Sequence, residues 1–312
     1  MTETHLFIAK PFEKWSLNAE TTPLIIKELF KRNCKVFISE PHDLFLKENI
    51  EKTKTRELKI KNNIFFINSA SEKNLNSFKF IHIRTDPPVN MNYYYHLLIL
   101  LRLVPNVKII NPPAALLSIN EKLSILNFPN LITDTLVTSL PDKGIDFMKL
   151  HKKIIFKNLS DCSSRGIKKF NCKDSSSNTE LFSLIKNSKE PVMLQKYLHK
   201  VKQGETRVTL INGVPAGWMK KIPKSPGFLA SLDFGASLVK HSPNNKELKI
   251  IKKVGDYLLK NKILFAALDI IDGNLSEINI TSPGLIHEMN EFCYRPIEKI
   301  YCDALQSWSN LE

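Results

Sequence analysis

Short apolar runs and helical patterns alternate through the first third of the chain. A strand is predicted at residues 6–9, a helix over 22–32 and a second strand at 35–39. Residues 78–84 read as a third strand. It must end at Thr85-Asp86-Pro87-Pro88, because prolines remove backbone donors and fix an extended turn. A helix over 91–103 and a strand at 107–110 complete an open, mostly parallel α/β unit. Two helices, 114–128 and 143–152, then flank a short strand at 134–138. Strands at 154–157 and 192–197 enclose a Ser-rich stretch and a helix over 180–187. From Arg207 the pattern changes to adjacent strands, 208–211 and 214–222, joined by Asn212-Gly213, a strong hairpin signal. A charged helix over 246–260 leads into strands 265–271 and 275–281, joined by Asp272-Gly273-Asn274. Segments 173–179 and 224–245 are expected as the most mobile loops. The chain therefore combines α/β and α+β parts, with no internal repeat.

Composition narrows the function classes. The longest apolar stretch, around 93–104, is interrupted by His96 and Arg102 and is too short to span a membrane. The first residues carry no basic segment followed by an apolar run, so a cytoplasmic protein without a signal peptide is expected. Five cysteines without CxxC spacing fit reduced thiols and argue against a disulfide frame or a zinc site. The net charge is +14, yet only seven of the 45 basic residues are arginine, and lysines are spread along the whole chain. Nucleic-acid sites concentrate charge on one face and interleave aromatics, so a lysine-rich solvated surface is the expected reading, with no nucleic-acid or membrane partner. Such a field also helps to collect anionic substrates.

The most informative stretch is 268–283. Strand alternation puts Glu277, Asn279 and Thr281 on one face, with Ile278 and Ile280 on the other. Asp269, near the end of the preceding strand, can meet Glu277 across the ladder. Two carboxylates and an amide carbonyl suit magnesium, although the same alternation describes any hairpin with one wet face. His82 and His96 sit on apolar segments and are expected to be structural.

This hairpin resembles the metal-binding hairpin of bacterial glutathione synthetases, members of the ATP-grasp superfamily. Further likenesses run collinearly along almost the whole chain. Arg84-Thr85-Asp86-Pro87-Pro88 resembles the family's Arg-Lys-Asp-Pro-Pro turn, and Asn120-Glu121-Lys122-Leu123 its Asn-Glu-Lys-Leu. Asp134-Thr135-Leu136-Val137-Thr138 is similar to a Glu-Thr-Leu-Val-Thr segment. Gln195-Lys196-Tyr197-Leu198 and residues 204–208 are similar to the stretch after the family's flexible loop.

The resemblance implies an ATP-grasp fold: a pre-ATP-grasp substrate domain at 1–118, a small lobe with its lid at 119–200 and a catalytic lobe at 201–312. It implies Mg2+ or Mn2+ on Asp269, Glu277 and Asn279, and ATP phosphates between Lys122 and Lys157. Gln195, Tyr197 and Leu198 would face adenine, while Arg207, contacting phosphate or the substrate carboxylate, and Lys221 would be catalytic. Arg84, Asp86 and Ser282 would hold substrate. The implied reaction turns the γ-glutamylcysteine carboxylate into an acylphosphate with ATP, and glycine then forms the amide. Family members assemble as dimers or tetramers, so a homo-oligomer is compatible with the resemblance.

Three departures stand out. The family's glycine-rich lid corresponds to 158–167, which has one glycine, leaving Ser163, Ser164 and Arg165 as substitute phosphate donors. The family's Ala-Arg-Ile-Pro becomes Lys220-Lys221-Ile222-Pro223, and its Arg-Gly-Asn aligns near Leu229-Ala230-Ser231. A family arginine near the C-terminus aligns with His287. These leave open a ligase for a different amino acid or peptide, or a catalytically retired nucleotide-binding relative.

Overall fold

The computed structural model describes residues 2–17, 19–103, 107–161, 164–188 and 190–308. Its strands are β1 Thr4–Ala9, β2 Lys35–Ser39, β3 Leu44–Lys47, β4 Ile50–Lys61, β5 Ile64–Ile67, β6 Ser71–Asn74, β7 Phe80–Arg84, β8 Lys108–Ile110, β9 Thr135–Thr138, β10 Lys153–Asn158, β11 Lys168–Asn171, β12 Val192–Lys196, β13 Glu205–Ile211, β14 Val214–Ile222, β15 Ser237–Val239, β16 Phe265–Ile271 and β17 Asn274–Asn279. The α-helices are α1 Thr21–Lys31, α2 Met91–Leu101, α3 Pro113–Ser118, α4 Pro141–His151, α5 Ser175–Asn187, α6 Asn245–Lys260, α7 Ile286–Cys293 and α8 Ile297–Trp308.

Three sheets result. The first runs β3-β4-β2-β1-β7-β8, with β5 and β6 also on β4. Its β2-β1-β7-β8 centre is parallel and the β3–β6 part is antiparallel. Strands β1 and β7 are buried on both faces, as expected for parallel strands under helices. Phe7, Val36, Ile38 and Phe80 pack with α1 and α8 through Ile25, Ile26, Leu29, Tyr301 and Leu305. Leu6, Ile8, Ile81 and Ile83 pack on the other side with Leu97 and Leu100 of α2. The C-terminal helix thus returns to the N-terminal sheet, which sequence periodicity had not indicated.

The second sheet, β11-β10-β12-β9, buries one face under α4 and α5 through Met148, Ile154, Phe156, Leu181 and Ile185. The third, β15-β14-β13-β16-β17, rests Val208, Leu210, Leu268 and Ile270 on Ile250, Ile251, Val254 and Leu258 of α6. Each such side chain contributes about 1.5–3 kcal/mol when fully buried. Helix α6 starts at a capping box: the Asn244 side chain accepts from Lys246 N and Glu247 N, and Glu247 accepts from Asn244 N.

Three expectations are corrected. The predicted helix over 114–128 ends at Ser118, and Ile119 is extended. The Asn120 side chain then accepts from Lys122 N and Leu123 N, both at 3.0 Å, and starts a separate 3-10 turn. The predicted loop 173–179 is already helical from Ser175, and the predicted loop 224–245 contains β15.

Candidate active site

The hairpin β16–β17 sets the register of the site. Asp272 (φ 51°) and Gly273 (φ 68°) form its two-residue turn, the left-handed pair that matches strand twist. Glu277 is thereby placed opposite Asp269, Asp269 opposite Arg207 on β13, and Glu205 opposite Lys221 on β14. Because side chains two apart share a face, Glu205, Arg207, Lys221, Asp269, Glu277 and Asn279 form one charged surface. Leu268, Ile270, Leu275 and Ile278 take the buried opposite face.

This surface is dense in compensated charge. Lys221 Nζ lies 2.9 Å from Asp269 Oδ1 and also contacts Glu205. Arg207 Nε lies 3.1 Å from Asp269 Oδ1, but without hydrogen-bond direction: both atoms lack a hydrogen-bond partner among the described residues. Burial opposes ionisation of Asp269, yet the Arg207 and Lys221 charges outweigh it and hold the carboxyl below its usual range. Glu205 behaves oppositely. Burial and the Asp269 charge push its carboxyl up to about 7, against the pull of Lys221. Asn279 Nδ2 donates to Asp269 Oδ2 at 3.0 Å and to Ala267 O at 3.3 Å, which fixes the amide plane.

Two lysines face this surface from elsewhere. Lys157, on the uncovered face of the second sheet, donates to Ser276 Oγ at 3.1 Å. Burial lowers its ammonium pKa, offset in part by Glu277 and Glu205. Lys122 lies 3.3 Å from Glu277 Oε1 and reaches the carbonyl of Asp161 at the start of the lid. Beside it, Glu121 Oε1 accepts from Ile280 N (2.6 Å), Thr281 N (2.8 Å) and Thr281 Oγ1 (3.0 Å), locking the segment after the β16–β17 hairpin.

Arg84, at the C-terminal end of β7, is buried. Its Nε donates to Thr22 Oγ1 at 3.0 Å and one Nη to Pro283 O at 2.8 Å, while the other Nη has no partner among the described residues. Burial lowers its pKa, the mark of a cation taken out of water without a full counter-charge.

These groups meet in one cavity of about 550 Å3. Every described residue of the sequence-based site lines it: the sheet surface, both lysines, Gln195, Tyr197, Leu198, Arg84, Asp86, Ser282 and Ser164. Ser163 lies outside the described residues. Ser164 (φ 60°) and Gly166 (φ 69°) are both left-handed, and Val89 N donates to Ser160 O at 3.2 Å, so the lid segment rests beside the Pro87-Pro88 turn. At the other end the Tyr197 ring meets Phe228 edge-on at 6.3 Å, with Lys169 Nζ 5.3 Å and 5.2 Å from the two ring centres. Sequence reasoning missed Glu205, Glu121 and Phe228. Glu205 was accessible to it, two residues before Arg207 on a strand.

The family model described as prokaryotic glutathione synthetase, ATP-grasp domain, matches residues 121–293, and its N-terminal domain counterpart matches 4–116. The chain belongs to the prokaryotic glutathione synthetase family. It is accordingly an ATP-dependent, ADP-forming carboxylate–amine ligase. Glutathione synthetase of Buchnera aphidicola subsp. Baizongia pistaciae is 32% identical over 307 residues, covering 96% of this chain and 94% of that protein. The Prochlorococcus marinus subsp. pastoris enzyme of that name is 29% identical over 287 residues, covering 91% and 92%. Among solved structures, D-cycloserine synthetase DcsG has a TM-score of 0.68 at 13% identity, covering 99% of this chain and all of that one. Macrocyclase MdnC from Microcystis aeruginosa has a TM-score of 0.66 at 14% identity, covering 97% and 99%. These two likenesses support the ATP-grasp fold.

Proposed function

We propose that this glutathione synthetase relative joins γ-glutamylcysteine to glycine within the 550 Å3 cavity, using ATP. The observation that carries the site reading is Arg84: a buried guanidinium with one nitrogen unpartnered suits a substrate carboxylate. Asp86 and Ser282 border the same end of the cavity and complete the substrate pocket. Gln195, Tyr197 and Leu198, with Phe228, supply an apolar slot for adenine. Lys122 and Lys157 bracket the phosphates as compact charges, and Ser163 and Ser164 add lid donors.

The donors of Asp269, Glu277 and Asn279 are all oxygen, and the buried Asp269 Oδ1, held by the Lys221 and Arg207 charges at 2.9 Å and 3.1 Å, accepts no directed hydrogen bond. That set fits a hard divalent cation, Mg2+ or Mn2+, which when bound would neutralise phosphate charge. The chain's own residues do the rest. Arg207 and Lys221 hold charge against the group being transferred as the substrate carboxylate attacks the γ-phosphate of ATP. The acylphosphate then meets the glycine amine, phosphate departs, and positioning supplies most of the catalysis.

In this scheme residues 1–118 form the substrate domain, 119–200 the small lobe and 201–312 the catalytic lobe. Among the described residues no helix is long and apolar enough to cross a membrane, and the proposal places the enzyme in the cytoplasm, with homo-oligomerisation allowed. The test is ADP release from ATP, magnesium and γ-glutamylcysteine, with and without glycine. Glycine-dependent ADP and a product with the mass of glutathione support the proposal. ADP that responds to another amine instead would assign a different acceptor, a change to which Lys221, which lines the cavity, would contribute, whereas His287 does not line it.

A further inference from the structure

The N-terminal ends of β1 and β2 lie at the edge of the parallel sheet remote from the active site, which Ala9 and Arg84 border at the C-terminal ends of β1 and β7. There the fold gathers Glu3, His5 and Cys34. A carboxylate oxygen, an imidazole nitrogen and the thiol sulfur lie within 4.8 Å of one another. Glu3 Oε2 is 3.8 Å from His5 Nε2, while Lys79 takes the other Glu3 oxygen. No local pattern marks this grouping, because the three residues stand at positions 3, 5 and 34 and are joined by the pairing of β1 with β2.

His5 is 1% exposed, and its Nε2 has no hydrogen-bond partner among the described residues. A buried polar atom left so is costly, and a bound ion would remove that cost. The ring is held in place. Its Nδ1 lies 3.0 Å from His82 Nε2, His82 Nδ1 lies 2.7 Å from the Tyr301 hydroxyl, and Phe80 stacks on His5 at 4.9 Å. One nitrogen engaged by an orienting neighbour and the other left without a hydrogen bond, 3.8 Å from Glu3 Oε2, is the arrangement of a metal-binding imidazole. Among the described residues the hydrogen bond recorded for Cys34 Sγ is a weak 3.9 Å one to the Arg32 carbonyl. An open surface hollow of about 450 Å3 is lined by Glu3, Cys34 and also Arg32, but not by His5, so water reaches the group from the Glu3 and Cys34 side.

We propose that Glu3, His5 and Cys34 form a zinc-binding site that ties the start of β1 to the start of β2. Thiolate, imidazole and carboxylate together match Zn2+, with water from the hollow as fourth ligand. Binding converts the Cys34 thiol to thiolate and releases one proton. His5 ligates as neutral imidazole, with its remaining proton on Nδ1 towards His82. Zinc bonds of about 2.0–2.3 Å require the ligand atoms to draw closer, to about 3.5 Å. Half-buried Glu3 and Cys34 can rotate to do so while His5 stays fixed.

The reduced, chelator-stripped chain, without nucleotide, is titrated with Co2+. A thiolate-to-cobalt charge-transfer band and the strong visible bands of a tetrahedral ion are expected, bleached by one equivalent of Zn2+. An all-oxygen site such as that of Asp269 yields neither. Cys34→Ser abolishes the charge-transfer band and leaves ATP-dependent ligation unchanged, and Glu3→Gln weakens cobalt binding by roughly tenfold or more. Cys172→Ser keeps the band. No charge-transfer band in the unsubstituted chain, or the same band in Cys34→Ser, overturns the proposal.

Discussion

Replacing Arg84 by methionine should lower activity and leave stability unchanged or raised. The structure provides both halves of this prediction. A substrate carboxylate meeting the unpartnered Nη gains a charge-assisted hydrogen bond of about 1.5–3 kcal/mol. At about 1.4 kcal/mol per decade, its loss lowers kcat/KM for γ-glutamylcysteine by roughly ten- to a hundredfold. For folding, the variant loses the bonds to Thr22 Oγ1 and Pro283 O, about 1 kcal/mol each. Against that, it removes a guanidinium for which no carboxylate lies within ion-pair distance among the described residues, a burial that costs several kcal/mol. Methionine fills much of the same volume beside Phe265. The assays are a coupled ADP assay across γ-glutamylcysteine concentrations and a thermal melt without ligands. An unchanged KM together with a Tm lower by about 4 °C or more would show that Arg84 is a structural residue and refute the reasoning.

Glu121→Ala leaves Ile280 N, Thr281 N and Thr281 Oγ1 without their shared acceptor and should cost about 2–4 kcal/mol in denaturant unfolding; a loss below about 0.5 kcal/mol contradicts that role. The acid limb of stability should depend on Glu247. Burial disfavours its charge, but bonds from Thr206 Oγ1, Asn244 N and His241 outweigh this and hold the carboxyl below its ordinary 4.5. Its contribution is therefore present above pH 4.5 and fades as pH falls through the lower folded value. Glu247→Gln should flatten that limb in pH-dependent melts, and an equally steep limb in the variant would speak against it.

The parts of this molecule most legible in the sequence are those where chemistry and periodicity coincide. Asp272-Gly273 announces a tight turn, and alternation beyond it places Glu277 and Asn279 on one face; the structure has both. The antiparallel strands between residues 44 and 74 were invisible for a physical reason. On β4 the buried positions include Glu51, Thr53 and Thr55, so no apolar alternation marks them. The break at Ser118 was hidden because Asn120 acts through its side chain within an otherwise helical pattern. Helix α8 did carry a signal, with Ile297, Tyr301 and Leu305 at four-residue spacing. What no local pattern could give is its partner, the α1 face of the N-terminal sheet. The grouping of Glu3 and His5 with Cys34 is likewise a product of strand pairing alone.

The central claim is that the charged face shared by β13, β14, β16 and β17 supports ligation despite a lid with a single glycine. The most direct measurement compares glutathione formation by the unsubstituted chain and by Glu277→Gln, with circular dichroism and melting to show that both are folded. The account predicts glycine-dependent glutathione from the first, and from the second a folded protein with turnover abolished. Full activity in Glu277→Gln would contradict it.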